Sequence, residues 1–227
     1  MSTLAEFWAQ ADAVTRGVAL LLLLMSVSAW VLIFWKGWML RRVRHDLARA
    51  VPAFWSAPDL AQGRQRLATW DREQALSPLL DAALAQPQAQ TLEAHGERDS
   101  QLTRRLRDAL HRVLGRLQAG QVVLASIGST APFIGLFGTV WGIYHALVAL
   151  SGESGLGIER ISAPVGEALV MTAAGLAVAI PAVLAYNIFG TQVGACEADL
   201  EGFAHDLREV LGDGTPPRRR DDAAQDA

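Results

Sequence analysis

The sequence has a single cysteine, Cys196, in 227 residues. One thiol excludes an internal disulfide and leaves no cysteine-based metal site. At the end of an apolar stretch it reads as a small apolar side chain. No alternating run of strand period is visible anywhere along the chain. Charge is also missing, and in a definite pattern: Gly17 to Trp35, Leu117 to Gly152 and Ala168 to Cys196 contain no Asp, Glu, Lys or Arg. Each stretch reaches the roughly 17–25 apolar residues that cross a ~30 Å hydrocarbon core. A soluble chain of this size rarely buries three such stretches, so the sequence predicts an all-α membrane protein with three spans, its long helices extending into a cytoplasmic helical region. A cleavage site is lacking as well. Glu6 and Asp12 precede the first stretch, and the bulky, basic Trp35-Lys36-Gly37-Trp38 follows it where small residues would be needed. The first stretch is therefore read as an uncleaved anchor, with Trp30, Trp35 and Trp38 towards an interface.

The charges that are present set an expected orientation. The formal net charge of −3 says little, but of the 20 Lys and Arg residues only Arg16 and Arg160 fall outside the regions between the first two stretches and beyond the third. Lys36, Arg41, Arg42 and Arg44 follow the first stretch directly, so the positive-inside rule places its end in the cytoplasm and the N-terminus outside. Two further crossings put the C-terminus, with Arg208 and Arg218 to Arg220, inside.

The organisation read from these features is an outer segment 1–16, a first span 17–38 and a cytoplasmic helical region 39–116. A second span 117–150, an outer loop 151–161, a third span 162–194 and a cytoplasmic tail 195–227 complete it, the end of the tail disordered. In the outer segment Leu4, Phe7, Trp8 and Ala11 fall at helical spacing; in the cytoplasmic region Pro52, Pro58, Pro78 and Pro87 punctuate helix-favouring stretches. From Arg98, Leu102, Leu106, Leu110, Val113 and Leu117 mark one helical face with arginines around the rest. No Pro or Gly cluster separates this pattern from the second apolar stretch, so one continuous helix is expected from 98 through the span, bent at Pro132. The arginines read as a solvated, membrane-proximal face or as contacts with other subunits or anionic headgroups. They lack the interleaved aromatics of a nucleic-acid surface.

Glu167 is the most informative residue, an acid followed by 29 uncharged positions. Intramembrane carboxylates face a bundle interior or a watered cavity because facing lipid is costly. A carboxyl held there can take and release a proton, the requirement for a relay. The competing reading is hydration at the outer interface, next to Glu159 and Arg160. Thr139 and Thr172 lie in apolar surroundings, and each would either bond back to its own helix or line a polar path. Glu167 and Thr172 are five positions apart, about 140° round an ideal helix, so they share a lumen only if it is wide, built by several subunits, or distorted near Pro164, Gly166 and Gly175. His145, near the outer end of the second stretch, is a possible secondary relay or a structural residue. Gly128, Gly135, Gly138 and Gly142 in the second stretch, with Gly166, Gly175 and many alanines in the third, allow close helix packing. Pro132, Pro164 and Pro181 would bend or interrupt the helices.

Two runs carry a resemblance. Ala131-Pro132-Phe133-Ile134-Gly135-Leu136-Phe137-Gly138-Thr139-Val140-Trp141-Gly142-Ile143 resembles the second-helix signature of the ExbB/TolQ (MotA-like) proton-channel family. Ala163-Pro164 through Glu167-Ala168-Leu169, Thr172-Ala173 and Gly175-Leu176 to Ala179-Ile180-Pro181-Ala182-Val183 and Tyr186-Asn187 resembles its third-helix signature. The resemblance is strong over 120–195 and weak over 41–115, and it leans towards the ExbB-like members. It implies an inner-membrane proton channel, with no enzymatic activity and no cofactor, that turns proton-motive force into work on a periplasm-spanning partner. Glu167 would be the pore glutamate, and Thr139 and Thr172 the pore threonines. The implied assembly is a homopentameric ring around an ExbD-like single-helix partner bearing a transmembrane aspartate, in phospholipid, serving a TonB-like transducer. The implied cargo is iron-siderophore, haem or vitamin B12; a TolQ-type role in cell-envelope integrity is the alternative. One departure is Gly166, where many members have alanine.

Two readings of other classes remain. An intramembrane serine hydrolase would pair Ser129 with His145, but these are 16 positions apart, about 24 Å along a straight helix. A passive scaffold would organise partner helices without needing the acid at 167.

Overall fold

A computed structural model of the chain describes residues 12–85, 97–150 and 159–212. The outer amphipathic segment with Leu4, Phe7, Trp8 and Ala11, the proline at 87 and the arginine-rich tail lie outside the described residues. Among the described residues all regular structure is helical: α1 Ala13–Trp55, α2 Leu60–Trp70, α3 Ser77–Leu84, α4 Arg98–Gln118, α5 Gln121–Leu150 and α6 Glu159–Gly212. Among these residues three helical stretches are long and apolar enough to cross a membrane, Ala13–Trp55, Arg98–Val148 and Val165–Gly212. The chain divides into two compact units, one of Met1–Trp38 with Ala119–Thr191, the other of Met39–Gln118 with Gln192–Ala227.

The first unit holds the start of α1, all of α5 and the first part of α6. Asp12 begins α1: its Oδ1 accepts the Thr15 N–H at 3.0 Å while its carbonyl accepts from Arg16, the geometry of a side-chain N-cap. Val18, Leu22, Ala29 and Lys36 recur at helical spacing and are buried, whereas Leu24, Val31, Phe34 and Trp38 on the other sides are exposed. An exposed apolar face of that length belongs against lipid or another protein surface, not water. Trp30 and Phe34 stack on that face. Between α5 and α6 the glycines permit backbone contact. A Cβ added at Gly135 would meet the Met171 carbonyl oxygen at 2.6 Å, and one at Gly175 the Ala131 carbonyl oxygen at 2.6 Å. At such a crossing the attraction is van der Waals packing, which strengthens as backbones approach.

The continuous helix expected from residue 98 carries an interruption. α4 ends at Gln118, and Ala119-Gly120 form a turn before α5. Gly120 has φ +79°, a left-handed conformation that costs glycine nothing and other residues strain. The turn is held from a distance: buried Lys36 donates from Nζ to the Ala119 carbonyl at 2.6 Å. A lysine at this depth is tolerable because its ammonium group has a hydrogen-bond acceptor.

The second unit contains the rest of α1, α2 to α4 and the end of α6. Pro52 does not end α1, which continues to Trp55; Pro78 sits in the first turn of α3, where its missing N–H is no loss. Asp59 caps α2 by accepting the Gln62 N–H at 2.8 Å. Between α2 and α3 the buried Asp71 carboxylate accepts from the backbone of Ala75, Leu76 and Ser77 and from the Ser77 hydroxyl. α4 buries Leu102, Leu106, Ala109, Leu110, Val113, Leu114 and Leu117, the face expected from its periodicity with two neighbours added. α6 runs on through this unit to Gly212. Val193, Cys196, Leu200, Phe203 and Leu207 are buried at three- and four-residue spacing, and Phe203 packs edge-on to Phe54 at 5.2 Å. Arg208 closes this end with two bonds to Asp99, at 2.9 and 2.8 Å.

Candidate functional site

The centre of the first unit is a pair of hydroxyls. Thr139 on α5 is buried, and its Oγ1 lies 2.5 Å from Thr172 Oγ1 on α6. The same oxygen is 3.1 Å from the Ala168 carbonyl and 3.2 Å from the carbonyl of Gly135 one turn back. A hydroxyl has one hydrogen and two lone pairs, so Thr139 donates to one carbonyl at a time and accepts from Thr172, or the reverse between the two hydroxyls. Thr139 therefore has partners both in its own helix, at the Gly135 carbonyl, and in the next, at Ala168 and Thr172. The pair exists because the helices touch here. Gly135 and Gly175 face one another, and a Cβ added at Gly142 would lie 2.9 Å from the Ala168 Cβ.

Glu167 sits one residue before Ala168, on a different face of α6. It is exposed and borders a groove of about 660 Å³ lined by Ala19, Leu22, Leu23 and Ser26 of α1 with Val170 and Met171 of α6. Among the described residues it is the only ionisable one in that lining. Among the described residues no hydrogen bond joins Glu167 to Thr139 or Thr172. The structure thus brings the two threonines together and leaves the acid beside them on an outward groove. The angular separation on α6 accounts for this division. Of the residues expected to bend or pack the helices, Gly135, Gly138, Gly142 and Gly175 lie at contacts of α5 with α6 or α1. Pro132 lies inside α5, and Pro181 and the backbone of Pro164 inside α6.

His145 is bound into a second polar cluster. Its Nε2 lies 3.6 Å from Asp12 Oδ2, an oxygen that also accepts the Trp141 indole N–H at 2.7 Å. The Trp141 and His145 rings are 5.2 Å apart. Partial burial alone would raise the Asp12 pKa, but hydrogen bonds from Thr15 and Trp141, with His145 nearby, outweigh it and hold the carboxyl at about 2. Asp12, Trp141 and Lys36 were not singled out as functional by the sequence; an acid or a lysine at the margin of an apolar stretch is the only sign of them. Ser129, by contrast, donates to the Ser126 carbonyl at 3.1 Å within its own helix, and His145 is engaged with Asp12. Ser129 and His145 are thus not paired with one another. Among the described residues no group of three or more His, Cys, Asp or Glu is placed to hold a metal.

Comparison with known proteins shows which family the chain resembles. Residues 71–202 match the model of the MotA/TolQ/ExbB proton channel family, a span that includes Thr139, Glu167 and Thr172. The chain is 37% identical to a biopolymer transport protein ExbB of Xanthomonas campestris over 91% of its own length and 85% of the relative's. It is 39% identical to an ExbB of Neisseria meningitidis, over 88% of this chain and 93% of that one. A Tol-Pal system protein TolQ of Pseudomonas aeruginosa is 31% identical over 88% and 89%.

Proposed function

The chain belongs to the MotA/TolQ/ExbB proton channel family, and from that premise we propose that it is the channel subunit of a TonB–ExbB–ExbD-type motor in the bacterial inner membrane. In this reading protons move through Glu167, Thr139 and Thr172, and the work they release drives TonB-dependent uptake across the outer membrane. The observation that carries it is the position of Glu167, the single ionisable group on an apolar groove beside a two-hydroxyl contact.

A carboxyl in that position is costly if it faces hydrocarbon. Further copies of the chain would enclose it, and a homopentameric ring around a single-helix, ExbD-like partner supplies both enclosure and a second acid. The proton then passes between the Glu167 carboxyl, bound water and the threonine hydroxyls, whose hydrogens reverse direction as each accepts and donates. One charge crossing the membrane releases about 2.3 kcal/mol per 100 mV. That suffices to shift two packing arrangements of near-equal energy. The basic residues after the first span, Lys36, Arg41, Arg42 and Arg44, support an N-terminus on the periplasmic side and a cytoplasmic C-terminus.

The higher identities to ExbB relatives favour the uptake role, and the TolQ match keeps a Tol-Pal role in envelope integrity as the second reading. Chromosomal Glu167→Gln, with the assembled complex quantified by crosslinking, tests the proposal. Abolished siderophore uptake at normal complex abundance is expected. Full uptake by that variant would establish a passive scaffold instead, and uptake intact with detergent sensitivity in a deletion strain would favour the Tol-Pal role.

A further inference from the structure

Thr139 and Trp141 lie two positions apart on α5, about 200° round the helix. They therefore grip two different sides of it. Thr139 reaches α6 through Ala168 and Thr172, and Trp141 reaches the start of α1 through Asp12. Both oxygens of the Asp12 carboxylate are engaged: Oδ1 caps α1 at Thr15, and Oδ2 takes the Trp141 indole N–H with His145 at 3.6 Å. An ionised acceptor makes a stronger bond than a neutral one, and the hydrogen bonds that keep this carboxyl ionised also keep it in place. The contact of Gly138 with the Val18 side chain, which a Cβ added at Gly138 would meet at 3.0 Å, is apolar and lacks the direction of a hydrogen bond.

We propose that Asp12 is a positioning residue for the proton path, holding Trp141 so that α5 keeps the rotation at which the Thr139 hydroxyl meets Thr172. Loss of the tether lets α5 turn by a fraction of a residue, and a contact of 2.5 Å between two hydroxyls does not survive such a turn. The inference rests on the channel reading, because it assigns Asp12 a role in the same conduction.

The test uses the full chain co-expressed with its partner subunits and reconstituted in liposomes, with proton flux normalised to assembled complex. Trp141→Phe removes the N–H and keeps an aromatic ring. Asp12→Ala removes both acceptors, and Asp12→Asn keeps one. Flux per complex is expected to fall between about tenfold and a hundredfold in Trp141→Phe and Asp12→Ala, with partial recovery in Asp12→Asn. The double variant Asp12→Ala/Trp141→Phe is expected to fall no further than either single one. A fluorine resonance from 5-fluorotryptophan at position 141 is expected to move in Asp12→Ala. If Asp12→Ala does not assemble, Trp141→Phe and Asp12→Asn carry the test. Normal flux per complex in Trp141→Phe, with Glu167→Gln silent in the same preparation, overturns the positioning role and leaves the channel reading standing. Normal flux in Glu167→Gln overturns both.

Discussion

Gly135→Ala tests how the threonine pair is held. The added Cβ would lie 2.6 Å from the Met171 carbonyl oxygen and 3.1 Å from the Gly175 Cα, both backbone atoms that cannot swing aside. Reaching an ordinary contact near 3.4 Å needs about 0.8 Å of separation between α5 and α6. That would carry the Thr139–Thr172 contact from 2.5 to about 3.3 Å and the Thr139–Ala168 bond from 3.1 to about 3.9 Å, beyond useful hydroxyl geometry. Overpacking of this kind costs about 1–3 kcal/mol. The better helix propensity of alanine returns only about 0.5–1 kcal/mol, so the loss wins. Gly175→Ala meets the Ala131 carbonyl at 2.6 Å and belongs in the same class, whereas Gly138→Ala meets side-chain atoms of Val18 and Met171 at 3.0 and 3.1 Å and should be milder. Gly166→Ala meets nothing within 4 Å and should be neutral or slightly stabilising. Thermal unfolding in detergent, with proton flux per assembled complex, ranks the four. A Gly135→Ala protein that conducts like wild type, beside an impaired Gly166→Ala, would refute the close-packing account.

Other consequences follow from single contacts. Thr139→Ser keeps the hydroxyl and should retain most proton flux, while Thr139→Val removes it at nearly constant volume and should lose most; equal flux in both would take the hydroxyl out of the path. Asp71→Ala strips four acceptor bonds from the link between α2 and α3 and should cost on the order of 3 kcal/mol, measurable as a lower denaturant midpoint. Asp99 has its pKa lowered by the Arg208 hydrogen bond. Its folded carboxyl thus binds a proton less readily than the unfolded one, so the pair contributes above the ordinary carboxylate range and the contribution disappears as pH falls through the lowered value. Unfolding profiles against pH should show this acid loss in wild type and a smaller one in Asp99→Asn. Lys36→Ala removes the bond to Ala119 and a fully buried side chain, and an increase in proteolysis at the turn before α5 should report it.

The three long helices were legible because absence of charge over a bilayer-length run is a local property of sequence. The buried face of α4 was legible for the same reason, from Leu102 to Leu117. Helices running on beyond the membrane were expected, and in α6 the spacing of Val193, Cys196, Leu200, Phe203 and Leu207 carries the helix past the apolar stretch. The turn at Gly120 was not legible, because its stabilising partner, Lys36, is 83 residues distant. The Asp12–Trp141 bond, across 129 residues, was hidden for the same reason. Thr139, Thr172 and Glu167 stood out as polar residues in apolar runs, but which of them touch is decided by the crossing at Gly135 and Gly175, a tertiary fact.

The most direct measurement is proton flux into liposomes containing the chain with its single-helix partner, driven by an imposed potential and followed with an internal pH dye. A potential-dependent flux that vanishes in Glu167→Gln and persists in Gly166→Ala is the expected result. Flux of equal size in wild type and Glu167→Gln, at equal complex content, would contradict a path through that carboxyl.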